Sequence, residues 1–259
     1  MFNVKIWSLV ATLALLSACG GGDVAINPAI DPADVASLEV TGLNGIWEGD
    51  YTDAVGKVCN DARGLIYNGQ VRVISTECDV ILSGTLSTKG TTASINFELF
   101  DAAATRTGQA DFSGSYTQQS QINGNLDNGG RLNLSYNIVY ENDSSLKFIA
   151  GNWYYTDATV SSVDFLSIDV NGNATEVSES GAPSCSYTAS FSIINSDFNL
   201  YAVSVGVSNC PDDQVSRNGN YTGVASLSGD NGIITVFVGN DQNVFIADFN
   251  LISLYEVTK

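Results

Sequence analysis

In "TTASINFEL", apolar and polar residues strictly alternate. Ala93, Ile95, Phe97 and Leu99 fall on one face of an extended chain, and Ser94, Asn96 and Glu98 on the other. A period of two places one face in a core and the other in water, as a half-buried β-strand requires. The pattern recurs in "RLNLSYNIVY", where Leu132, Leu134, Tyr136, Ile138 and Tyr140 line up, and in "SYTASFSII" with Tyr187, Ala189, Phe191 and Ile193. It appears again in "NVFIADFNL" with Phe245, Ala247, Phe249 and Leu251. Between such runs stand "YNGQ", "INGN", "DNGG", "VNGN", "RNGN" and "GDNG". Asn-Gly and Asp-Asn-Gly accept the positive φ that tight hairpins demand. No segment after residue 41 reads as a helix. The expected fold is therefore all-β and antiparallel, an up-and-down meander of hairpins.

The meander is written twice. Gly45-Ile46-Trp47 returns as Gly151-Asn152-Trp153, and three further landmarks return in the same order. Asn68-Gly69 matches Asn171-Gly172, Cys78 matches Cys185, and Phe112-Ser113-Gly114 matches Tyr221-Thr222-Gly223, at offsets of 103 to 109 residues. Nearly constant spacing over four landmarks points to a duplicated unit. The units are placed at residues 42–145 and 146–259, each with about eight strands. Eight meander strands close into a small barrel and remove the exposed edges. A two-sheet β-sandwich built from both units is the alternative. Gly-x-Trp on the first strand resembles the Gly-x-Trp of lipocalins and related calycin barrels. That resemblance implies that Trp47 and Trp153, with Gly45 and Gly151, form a motif packed across one end of each barrel.

The N-terminus carries a different signal. Lys5 precedes a mostly apolar run from Ile6 to Leu16, too short to span a membrane as a helix, which takes about 20 residues. A basic start, a short apolar core and small residues before a cut make a signal peptide, residues 1–18. Leu16-Ser17-Ala18-Cys19 resembles the lipobox of bacterial lipoproteins. The resemblance implies cleavage before Cys19, acylation of its thiol, palmitate among the acyl chains, and a stable membrane anchor. In that family an Asp directly after the cysteine retains the protein at the inner membrane. Gly20 stands there instead. The implied destination is the outer membrane of a Gram-negative cell, on its periplasmic or its surface face. Residues 20–41, rich in small residues and holding two of the four prolines, read as a flexible tether. The lipidated cysteine and this tether together form segment 19–41.

Ten Lys and Arg oppose 28 Asp and Glu, a net charge of −18. Such a chain repels nucleic acid and anionic lipid, which leaves membrane attachment to the lipid anchor. Beyond Cys19 stand Cys59, Cys78, Cys185 and Cys210. Four cysteines in an exported chain suggest two disulfides. Of three pairings, Cys59–Cys78 and Cys185–Cys210 keep each bridge within one unit. The chain has no histidine and no Cys-x-x-Cys, so the usual zinc ligand sets are missing and no metal or other cofactor is expected.

Nucleophilic triads that rely on histidine are excluded for the same reason. Glu48, Asp50 and Asp53 cluster in sequence, but Glu48 and Asp50 share the face opposite Trp47 and Tyr51, which places them in solvent. Asp212-Asp213 reads as an acidic loop. "DVNGNATE", Asp169 to Glu176, lacks the order of a calcium loop and reads as a hairpin turn. The inward faces are heavy in Phe, Tyr, Leu and Trp, which predicts barrels filled by their own side chains. The expected function is that of a non-catalytic envelope lipoprotein. Its paired modules would bind an envelope or extracellular protein or a glycan through loops or exposed faces. The alternative is a lipocalin-like binder of a small apolar ligand.

Overall fold

The computed structural model describes residues 42–101, 105–156, 163–178, 185–240 and 242–252. Residues 1–41, with the signal segment, Cys19 and the tether, lie outside them. Two closed antiparallel eight-stranded barrels follow one another along the chain. The first comprises β1 (Gly45–Thr52), β2 (Val58–Tyr67), β3 (Gln70–Ser75), β4 (Val80–Lys89), β5 (Thr92–Phe100), β6 (Arg106–Thr117), β7 (Gln121–Leu126) and β8 (Arg131–Asn137). The second comprises β9 (Gly151–Thr156), β10 (Val163–Ile168), β11 (Asn173–Ser178), β12 (Ser186–Ile193), β13 (Tyr201–Ser208), β14 (Gly219–Leu227), β15 (Ile233–Gly239) and β16 (Val244–Leu251). Each strand pairs with the next, and β1 with β8 and β9 with β16 complete the circles, for example at Trp47↔Tyr136 and Trp153↔Leu251. The expected tandem barrels are thus the observed fold, and the single sandwich is not.

Alternation fills each interior. Trp47, Tyr51, Leu82, Ile95, Phe97, Phe112, Leu132 and Leu134 form the first core. Trp153, Phe191, Tyr201, Val203, Tyr221 and Ile234 belong to the second. The four repeated landmarks occupy the same ordinal place in both barrels. Gly-x-Trp opens the first strand, Asn-Gly sits in the second hairpin, Cys78 and Cys185 lie in the third, and Phe112 and Tyr221 are on the sixth strand. There Gly114 and Gly223 let the seventh strand approach closely. An added Cβ would come 2.6 Å from the Gly124 Cα in one barrel and 1.9 Å from the Phe237 carbonyl oxygen in the other.

The alternation of "RLNLSYNIVY" does not continue as a strand to its end. β8 stops at Asn137, whose side-chain oxygen accepts the Val139 N–H at 3.0 Å and starts a 3-10 turn, Ile138–Glu141. Ile138 is consequently exposed, and Tyr140 leaves the barrel wall. At the ends of β12 and β16, Ile193 and Leu251 are also more exposed than the alternation implies, because those positions reach the barrel rim. A one-turn α-helix, Leu146–Ile149, precedes β9 where no helix is expected. The Ser145 hydroxyl accepts its Lys147 N–H at 3.3 Å. The turn delivers the Ile149 carbonyl to Trp153.

The barrels also share a seam that the alternation does not announce. Leu65, Ile66 and Tyr67 are buried in succession, as are Val236, Phe237 and Val238, so these strands are covered on both faces. Leu65 and Tyr67 from the first barrel join Tyr140, Leu200, Val224 and Phe237 in one cluster. Ile81 and Phe100 join Val244 in another. The Arg63 guanidinium is ion-paired with the Asp248 carboxylate across the seam, and the Thr235 hydroxyl donates to the same carboxyl group at 2.7 Å.

Candidate functional site

Strand direction sorts every connection to one of two ends. β1 and β9 leave the same end, so the β1–β2, β3–β4, β5–β6 and β7–β8 connections gather at the other, together with their four counterparts in the second barrel. The seam keeps the ends in register. Tyr67 shares its cluster with Leu200 near one end, and Phe100 shares its cluster with Val244 near the other.

The first end is closed by the tryptophans. Trp47 is fully buried, and its indole N–H donates to the Leu43 carbonyl at 3.1 Å. Trp153, equally buried, donates to the Ile149 carbonyl at 2.8 Å. In both cases the acceptor lies four residues back on the segment that enters the barrel, so one side chain plugs the core and ties down the incoming backbone. Gly45 and Gly151 serve this arrangement differently. A Cβ on Gly45 would lie 2.5 Å from the Tyr136 ring, which meets Trp47 edge-on with centroids 5.4 Å apart. Gly151 has a φ of +154°, which a residue with a side chain rarely adopts. The Tyr136 hydroxyl donates to the Glu141 carboxylate, and burial together with that neighbouring charge pushes its pKa up.

The opposite end, the loop end, holds four connections of each barrel and both disulfides. Cys59 at the start of β2 is bonded to Cys78 in the β3–β4 turn, and Cys185 before β12 is bonded to Cys210 in the β13–β14 connection. Beside Cys78, the Asp61 carboxylate gathers the β3–β4 turn. It accepts from the Ser75 hydroxyl at 2.5 Å, from the Thr76 N–H at 2.7 Å and from the Glu77 N–H at 2.9 Å. Burial alone would raise its pKa, but these hydrogen bonds outweigh burial and hold it at about 2.

Loops of both barrels meet here around an open polar depression of about 230 Å³. It is lined by Thr105 and Arg106 of the first barrel and by Ser216, Arg217, Gln242, Asn243 and Phe245 of the second. Arg106 is ion-paired with Glu98 at 2.8 Å, and the Arg217 Nη1 donates to the Gln214 Oε1 at 3.2 Å. Arg217 closes the 3-10 turn Asp212–Arg217. The Asn243 side-chain amide donates to the Ser216 carbonyl at 3.1 Å. Two guanidinium groups, two amides and two hydroxyls can hydrogen-bond carboxylates, carbonyls or sugar hydroxyls of something laid across the loops. They include no nucleophile–base pair.

The acidic groups singled out in the sequence do not converge. Glu48 is exposed on β1 and Asp50 is half-buried, while Asp53 caps the β1–β2 turn by accepting from the Val55 N–H at 2.9 Å and the Lys57 N–H at 2.8 Å. Asp212 stands exposed in its 3-10 turn. Asp169 folds onto the β10–β11 turn, accepting from the N–H groups of Asn171 and Asn173 at 2.8 Å. Glu176 instead accepts the Tyr187 N–H at 3.2 Å across β11 and β12. Among the described residues no group of three or more acidic or cysteine side chains is placed to hold a metal ion.

Sequence reasoning missed the Arg106–Arg217 depression, because its residues are about 110 positions apart and only the seam joins them. It also missed the seam, whose signal was readable in "GLIY", "DVIL" and "TVFV", where apolar residues stand consecutively instead of alternating. No protein-family model matches the chain, nor does any curated protein or solved structure.

Proposed function

We propose that the chain is a non-catalytic lipoprotein of the Gram-negative outer membrane, anchored through Cys19, that binds a macromolecular partner across the loop end of its two barrels. One observation carries this reading. The described chain begins at Gly42 and ends at Ile252 at the tryptophan end, while four connections of each barrel, both disulfides and the Arg106–Arg217 depression gather at the other. A lipid attached ahead of residue 42 would leave the loop end free. The interiors are occupied by Trp, Phe, Tyr and Leu side chains, which favours recognition on the outside over carriage within. The partner is a protein or glycan offering carboxylates or hydroxyls to Arg106, Arg217, Gln242 and Asn243.

Two experiments test the reading. Growth with a labelled fatty acid should label the wild-type chain and not the Cys19→Ser variant; an unlabelled wild-type chain removes the anchor. Native mass spectrometry on protein gently extracted from its own envelope should show a retained protein or glycan that is lost from an Arg106→Glu/Arg217→Glu variant. A small apolar molecule retained by the folded chain would instead establish the carrier reading.

A further inference from the structure

Eight large apolar side chains stand exposed among the described residues, and they are unevenly shared between the ends. Val55, Val58 and Val215 are at the loop end; Ile138, Phe148, Val170, Ile193 and Leu251 are at the tryptophan end. Four of these five follow one arc around the second barrel. Leu251 ends β16, Phe148 lies in the helical turn before β9, Val170 is in the β10–β11 turn, and Ile193 ends β12. Their supports touch. The Leu146 side chain lies 3.2 Å from where a Cβ on Gly172 would stand, and that of Leu251 lies 3.3 Å from the same point on Gly151. Single exposed apolar residues are ordinary on a soluble protein, but a grouped rim marks a surface that meets something.

The chain itself indicates what that is. It enters the first barrel at this same end, where the Gln119 N–H donates to the Gly42 carbonyl at 3.2 Å. Twenty-two residues separate Cys19 from Gly42, and 22 residues reach at most about 75 Å even when fully extended. An anchored body is thus held within reach of its membrane at high effective concentration, so a modest apolar rim suffices for contact. The charges select the kind of surface. Lys147 adjoins Phe148, but Glu141, Asp143, Asp169, Asp197 and Asp230 share this end, so anionic headgroups would be repelled and zwitterionic ones accepted. Asp169 and Asp230 fold onto their own turns, Asp230 accepting from the Ser228 hydroxyl at 2.5 Å and the Gly232 N–H at 3.0 Å.

We infer that the tryptophan end of the second barrel rests on the lipid surface that anchors the chain, with Phe148, Val170, Ile193 and Leu251 seated among zwitterionic headgroups. The inference rests on the reading of Cys19 as the anchor. Its test is therefore made independent of cellular lipidation, by coupling a diacyl lipid through a maleimide to Cys19 of the full chain, the one cysteine outside the two disulfides. Tryptophan is placed at Phe148→Trp or Val170→Trp, and at Val55→Trp or Val215→Trp. Each protein is bound to phosphatidylethanolamine–phosphatidylcholine vesicles with or without brominated acyl chains, and its emission is read against the unsubstituted chain. Positions 148 and 170 should lose intensity to bromine and shift to the blue, and positions 55 and 215 should do neither. Equal response at both ends, or none at 148 and 170, overturns the inference. Quenching that appears only after residues 253–259 are removed assigns the rim to the chain's own C-terminus and overturns it too. Failure of fatty-acid labelling in cells would sink the anchor and leave this surface measurement standing.

Discussion

The two barrels share a strand plan and differ in what joins the strands. Between β2 and β3 there are two residues, between β10 and β11 four; the β4–β5 connection has two, and the β12–β13 connection seven. Five residues join β5 to β6, whereas ten join β13 to β14. The first barrel is a tight hairpin meander, and the second carries elaborated connections on the same frame. The disulfides follow this difference. Cys78 and Cys185 occupy the same hairpin, but Cys78 is bonded to the start of the second strand, and Cys185 to the long connection that only the second barrel has. The longer β12–β13 connection also builds the seam. Its Phe198 stacks on Tyr140 at 5.0 Å, and Asn199 donates from its backbone N–H to the Tyr140 carbonyl at 2.9 Å and from its side chain to the Val139 carbonyl at 3.3 Å. The same side chain exchanges hydrogen bonds with the Leu227 backbone of β14 at 2.7 and 2.9 Å. The comparison teaches that a closed barrel tolerates loop growth because its strands, core and plug are complete without the loops.

The largest expected effects probe what the barrels share. Trp47→Ala and Trp153→Ala should each destabilise by about 3–5 kcal/mol in denaturant unfolding, since each empties a fully buried plug and strips a backbone carbonyl of its donor. Unequal losses would show that one barrel relies on its plug less than the other. Removing one bridge with paired Cys→Ala changes should cost roughly 3 kcal/mol in either barrel. The site of new protease cleavage should differ, at the β3–β4 turn without Cys59–Cys78 and in the β13–β14 connection without Cys185–Cys210. Asn199→Ala has no counterpart in the first barrel. It should cost about 1–3 kcal/mol, because it leaves the buried Leu227 N–H and carbonyl unpaired.

Gly45→Ala and Gly151→Ala should each cost on the order of 1 kcal/mol or more by different routes. The first is a steric clash, so Tyr136→Ala should relieve it; the second is a backbone penalty that no neighbouring truncation removes. The smallest effect concerns pH. The Asp61 carboxyl sits at about 2 in the folded chain, below the value of about 3.9 expected when unfolded. Its contribution is therefore present in full above pH 4 and fades as pH falls towards 2. Asp61→Asn should flatten that part of the acid-unfolding profile of the first barrel, and an unchanged profile would remove Asp61 as its cause.

Much of the fold was legible because hairpins are local. Alternation in "TTASINFEL" placed Ile95 and Phe97 inside, and Asn68-Gly69 turns with φ of 52° and 72° as its type of turn demands. The same rule misread "RLNLSYNIVY" past Asn137, since alternation persists in sequence even where a capping side chain has ended the strand. Of the loop-end depression almost nothing was legible. Arg106 and Arg217 lie in unremarkable stretches, and no periodicity relates them.

By itself, then, the amino-acid order determined the strand period, the hairpins, the duplication and the tryptophan that opens each unit. These follow from side-chain size and backbone preference within a few neighbouring residues. Tertiary structure alone decided which outward faces were lost to the seam, that Arg63 would meet Asp248, and that loops from two barrels would share one end. The physical reason is that a residue facing out of its own barrel is exposed or buried according to a body folded elsewhere in the chain. That contact is set by packing between distant surfaces, which no local pattern encodes.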